Sequence, residues 1–68
     1  MNYYADVILP LPLKGTFTYE LTKKENKNLG IGYRVAVSFG KRKVYTGIIK
    51  KIHNTKPELY ETKPIEFI

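Results

Sequence analysis

Apolar and polar residues alternate through most of this chain, and the longest such run is Tyr33 to Ile52, YRVAVSFGKRKVYTGIIKKI. Tyr33, Val35, Val37 and Phe39 fall on one face and Arg34, Ala36 and Ser38 on the other, the period of two of a half-buried strand. Gly40 breaks the pattern. Lacking a Cβ, it reaches positive φ freely, so the chain is expected to reverse there and return along Val44 to Ile52 as a hairpin. Lys41, Arg42 and Lys43 occupy the turn, where three adjacent cations must project into water or against an anion.

The flanking segments read as partners for that hairpin. Tyr3, Ala5, Val7 and Leu9 oppose Tyr4, Asp6 and Ile8 in a first strand, which Pro10 ends. In Leu9-Pro10-Leu11-Pro12-Leu13 each proline fixes φ and removes a donor, so the run suits an extended edge and no helix. After a turn at Lys14-Gly15, Phe17, Tyr19 and Leu21 oppose Thr16, Thr18 and Glu20 in a second strand. Thr22 to Asn28 is wholly polar, and its two Asn with the following Leu29-Gly30-Ile31-Gly32 predict a loop in preference to a helical turn. His53 to Glu58 reads as a surface loop, and Tyr60 to Ile68, interrupted by Pro64, as a last edge strand. The expectation is an all-β fold of residues 1–68 as one domain: a small five-stranded, strongly bent sheet or OB-like barrel without a helix.

At 68 residues the chain lies near the size below which a core usually needs a staple, and it has no cysteine to provide one. Disulfides, thiolate metal sites and a cysteine nucleophile are thereby excluded, and one histidine cannot hold a metal alone. No apolar run approaches the roughly 20 residues that span a bilayer, and the N-terminus is unlike a signal peptide, so a soluble cytoplasmic protein is expected.

Charge sharpens the picture. The net charge is +6, and from Asn26 to Pro57 there is no Asp or Glu among eight of the twelve cations. A one-signed block of this kind points to a polyanion, nucleic acid first, although a merely solvated lysine surface has the same composition. Six tyrosines and three phenylalanines add faces on which unpaired bases can stack.

Catalytic patterns are missing: there is no P-loop, GxSxG, HExxH or Cys-His pair, and the carboxylates Asp6, Glu20, Glu25, Glu58, Glu61 and Glu66 are scattered. His53, beside Lys50 and Lys51, suits an exposed structural place, where a phosphate contact is open to it. The reading is of a chain that performs no catalysis by itself.

Three blocks, ADVILPLPLKGTFTYEL, GYRVAVSFGKRKVYTGII and YETKPIEFI, resemble in order and spacing the N-terminal domain family of primosomal protein N′, the replication-restart helicase PriA. The resemblance implies a module that binds the 3′ end of the nascent leading strand at a stalled fork. It also implies an excised piece of a larger ATP-dependent, zinc-binding helicase whose other domains are its partners, the piece itself needing no cofactor. Carried over motif by motif, the end-binding pocket comprises Phe17, Thr18, Gly40 and Lys63; the cations Lys41, Arg42, Lys43, Lys50 and Lys51, read from the charge block itself, suit phosphate contacts, with Lys41, Arg42 and Lys43 otherwise merely solvated. Thr18 stands where the best-known relatives have Asp; a hydroxyl cannot offer two carboxylate oxygens to a base edge.

Each of these positions also has a purely structural use. Phe17 shares its face with Tyr19 and Leu21, as a core residue does, and Thr18 opposite suits solvent. Gly40 is needed by the turn, and Lys63 suits an edge strand that must not pair with another chain. For Tyr33 and Tyr45 core packing is preferred over stacking on bases. The rival from another class is a basic β-module for an acidic protein partner or for the motor domains of its own parent chain, and a third reading is a small ribosomal-type RNA-binding barrel.

Overall fold

The computed structural model describes residues 2–41, 43–58 and 60–66. Its strands are β1 (Tyr3–Ile8), β2 (Phe17–Leu21), β3 (Arg34–Ser38) and β4 (Val44–His53), with a helix α1 (Lys23–Asn28) between β2 and β3. They form one antiparallel sheet in the order β2-β1-β4-β3, strongly curled into a half-barrel. The alternation dictates which way the sheet curls. Ala5, Val7, Tyr19, Leu21, Val35, Val37 and Ile49 all point to the concave side and are buried, and Leu9, Leu29 and Ile65 close the ends of that core.

Strand β4 does not keep a strict period of two. Asp6 lies opposite Lys51 but Val7 lies opposite Ile49, so Lys50 is an extra residue against β1, a β-bulge. Counting by twos from the inward Ile49 would bury Lys51. The bulge instead leaves Lys50 and Lys51 both exposed and returns Ile52 to the core margin. One strand turn away, Gly47 lets β1 and β4 approach closely. A Cβ there would collide with the Val7 side chain and lie 2.8 Å from the Ile8 carbonyl oxygen.

Two expectations are corrected. Residues 23–28 are helical, because Thr22-x-x-Glu25 forms a capping box: the Thr22 hydroxyl accepts from the Glu25 N–H at 3.0 Å and the Glu25 carboxylate accepts from the Thr22 N–H at 2.9 Å. These two bonds outweigh the loop preference of the asparagines, and the helix stops at Asn28 where Leu29 turns extended and is buried. The fifth strand is not a strand: residues 60–66 form a single isolated bridge with the sheet, Glu20 to Pro64 in the parallel sense, and otherwise run as a strap. Proline lacks the N–H a ladder requires. Phe67 and Ile68 of that expected strand, and Arg42 of the turn, lie outside the described residues.

The strap joins the two free edges of the half-barrel. Glu20 of β2 donates its N–H to the Lys63 carbonyl at 2.8 Å, and Glu66 donates to the Ala36 carbonyl of β3 at 2.7 Å. A third tie crosses directly, from the Tyr19 hydroxyl of β2 to the Ser38 carbonyl at the end of β3, 2.7 Å. Four strands and a strap therefore do the work of the anticipated five.

Candidate functional site

A pocket of about 310 Å³ opens in the gap between these edges. Phe17 and Tyr19 from β2, Ser38 from the end of β3, Phe39 and Gly40 from the turn, and Tyr60, Glu61 and Lys63 from the strap line it, with Thr18 at its rim. That volume sits at the small end of the range for ligand sites, about 300–1,000 Å³. It is the space of a single nucleoside-sized group and not of a duplex.

Local structure explains each wall. Phe17 begins β2 on the concave side, but at the open end of the half-barrel, so it is only half-buried and meets Phe39 edge to face with ring centroids 4.6 Å apart. Gly40 has φ +73°, the left-handed conformation that turns the chain after Phe39, while the Phe39 N–H donates to the Lys43 carbonyl at 3.0 Å. A Cβ built on Gly40 would meet nothing within 4 Å among the described residues. Burial, with the nearby Tyr60 hydroxyl second, pushes the Tyr19 phenol above its usual value, keeping it a donor to Ser38.

Thr18 is held from two sides. Its N–H, on the free edge of β2, donates to the Tyr60 hydroxyl oxygen at 2.9 Å, and its own hydroxyl donates to Asp6 Oδ1 at 2.7 Å. The same Asp6 oxygen pairs with His53 Nε2 at 2.8 Å. Burial raises the Asp6 carboxyl, but the hydrogen bonds of His53 and Thr18 and the charges of His53 and Lys51 outweigh it and leave the group below its ordinary value. His53, read from sequence as exposed, is in fact half-buried, stacked on Tyr4 at 6.0 Å and bound at both ring nitrogens.

The structure thus brings Phe17, Thr18, Gly40 and Lys63 together around one pocket. The cations fall into two groups. Lys41 and Lys43 are exposed in the turn beside Gly40, whereas Lys50 and Lys51 are exposed at the bulge on the outer face. Lys56 instead pairs with Glu61 at 3.3 Å, which offsets the one acid in the pocket wall. Tyr45 packs against the core, but Tyr33 precedes β3 and is half-exposed, so its expected burial is corrected.

Sequence reasoning missed Tyr19, Ser38, Phe39, Tyr60 and Glu61 as pocket residues. Tyr60 carried a faint signal, an aromatic in an otherwise polar, proline-flanked stretch. Ser38 carried none, since what it contributes is the position of its backbone. Among the described residues no group of acids and histidine is placed to hold a metal ion, and no helix is long and apolar enough to cross a membrane.

A curled β-sheet with an aromatic pocket at its open end and cations on the flanking turn has the make-up of a module that holds an unpaired nucleotide. The comparison with known families is specific: the model of the PriA 3′ DNA-binding domain (3′BD) matches residues 6–68, and the chain belongs to that family. Membership implies recognition of DNA 3′ ends in replication restart. No curated protein and no solved structure matches the chain.

Proposed function

We propose that the pocket between the sheet edges captures the 3′-terminal nucleotide of the nascent leading strand at a stalled fork. Phe17, edge-on to Phe39, supplies the face for the base. Gly40 leaves the backbone open to close approach by the sugar, Lys63 reaches the adjoining phosphate, and Thr18 lines the wall, its N–H tied to Tyr60 and its hydroxyl to Asp6. Lys41, Arg42 and Lys43, with Lys50 and Lys51, hold the phosphates that follow. The observation that supports this reading is convergence: four residues implied by the family motif, from three distant stretches of chain, line one nucleoside-sized space. The domain acts as a DNA-reading part of a larger cytoplasmic, ATP-dependent, zinc-binding helicase, and itself binds forked DNA without a cofactor.

The test is a pair of labelled strands differing only at the 3′ end. A purely electrostatic binder with a charge of +6 holds a 3′-phosphate as well as or better than a hydroxyl, because the phosphate adds about 1.5 to 2 negative charges. A steric pocket rejects it, by about 1 to 3 kcal/mol for polar groups left unpaired. Tighter binding of the free hydroxyl is the expected result, and equal affinity for free and blocked ends defeats terminus capture.

One observation favours a second reading, contact with a protein partner or the rest of the parent chain. Ile8 and Ile48 are cross-strand neighbours on the outer face, 45% and 46% exposed. Negligible DNA affinity at low salt would support it over the first.

A further inference from the structure

Thr18 stands between two pockets. Its hydroxyl faces a second one on the outer side of the sheet, about 330 Å³, lined by Asp6, Thr18, Lys51, His53, Thr55 and Pro57. We propose that this second pocket seats the base next to the 3′-terminal nucleotide, and that Asp6 Oδ2 accepts a hydrogen bond from the exocyclic amine of that base. The proposal rests on the terminus reading above.

The free hydrogen-bonding capacity of the cavity decides what fits. Asp6 Oδ1 takes both donors, the Thr18 hydroxyl and His53 Nε2. Oδ2 makes no hydrogen bond among the described residues, and the side chain is 22% exposed. In the neutral ring Nδ1 accepts from the Thr55 N–H at 3.1 Å and the proton sits on Nε2, so His53 has nothing left to offer and acts as a positioning residue for Asp6. Beside Lys51 and Thr55, the anionic acceptor left to the cavity is therefore one rigidly held carboxylate oxygen of Asp6. A phosphate seated against it is repelled, whereas an N–H donor is bound. Adenine, cytosine and guanine each carry an exocyclic amine; thymine carries carbonyls at its edge, and its one donor, the in-ring N3–H, lies between two carbonyl oxygens that repel a carboxylate.

Placement follows from register. Thr18 and Asp6 are direct cross-strand partners on adjacent strands, about 4.8 Å apart. Thr18 also lines the first pocket, so the two cavities adjoin across β2 and a strand leaving the first passes over the edge of that strand into the second. The bulge leaves Lys51 exposed and lining the pocket, where it meets the phosphate and leaves the carboxylate to the base.

The experiment uses strands with a free 3′-hydroxyl that differ only in the second base from that end. Wild type should bind the dT strand about 3- to 10-fold more weakly than the dA, dC and dG strands, and lose the difference when the varied base is moved three positions inward. Asp6→Asn reverses the sign. Its amide oxygen stays toward Thr18 and His53, both donors, and its NH₂ replaces Oδ2, so thymine becomes preferred. Wild-type indifference to the second base overturns the proposal even if the variant fails to fold. Parallel strands blocked by a 3′-phosphate separate the two readings. Preference for the free end with no effect of the second base overturns the second pocket alone, and indifference to the block overturns terminus capture together with the position assigned here.

Discussion

Phe17 and Phe39 meet edge to face at an interplanar angle of 61°, one ring from the start of β2 and the other from the turn after β3, so the pocket floor is also a clasp between sheet edges. Full burial would make Phe17→Ala cost about 3 to 5 kcal/mol of stability. Phe17 is only half-buried, and we expect a smaller loss of stability together with about 1 to 3 kcal/mol of DNA binding, the range for base stacking on an aromatic. Thermal melts run beside binding titrations read the two costs separately. A variant that melts as wild type and binds as wild type would remove Phe17 from the pocket.

Gly47 gives a test of the fold that leaves the pocket untouched. Gly47→Ala drives a methyl into Val7 and toward the Ile8 carbonyl between the two central strands. Overpacking of this kind costs about 1 to 3 kcal/mol. Denaturant unfolding should show that loss, and Val7→Ala in the same chain should recover part of it by clearing the nearest obstacle.

Acid stability reports on Asp6. Its pKa is lowered in the folded state from an ordinary 3.8, so its contribution is present above that value and is lost as pH falls through the folded pKa. Melts from pH 7 down to pH 2 should decline below about pH 4. In Asp6→Asn this part of the decline is absent, because no carboxyl remains to take up a proton. Identical acid limbs in both proteins would show that the His53 and Thr18 contacts do not hold the ionised form.

The turn cations are tested by salt. Each phosphate contact to a single strand contributes about 0.7 to the slope of log affinity against log salt. Replacing Lys41 and Lys43 together by Ala should flatten the slope by about 1.4 if both meet phosphates. An unchanged slope assigns them to solvent.

How far the sequence reached depended on where each contact lies. The strands were legible because Ala5, Val7, Tyr19, Leu21, Val35 and Val37 repeat at the period that burial imposes, and the turn because Gly40 needs a conformation other residues avoid. Helix α1 was within reach, since Thr22 and Glu25 have the spacing of a capping box. The bulge was not: it arises from reconciling Ile49 and Ile52 with a neighbouring strand, and pairing is invisible along one strand alone. Phe17, Thr18, Gly40 and Lys63 were implied by family resemblance, while Tyr60 and Asp6 matter through partners 42 and 12 residues away. Such separations leave no local periodicity to read.

The strap has a consequence for the order of assembly. Tyr60 and Lys63 reach the pocket only after residues 60–66 have docked on Glu20 and Ala36, the two borders that the preceding strands leave uncovered. On the terminus reading proposed above, a growing chain can complete its sheet while still blind to DNA, with two raw strand borders open to pairing with a neighbour. Docking of the last segment ends both conditions at once, so competence to bind and protection against aggregation arrive in the same step.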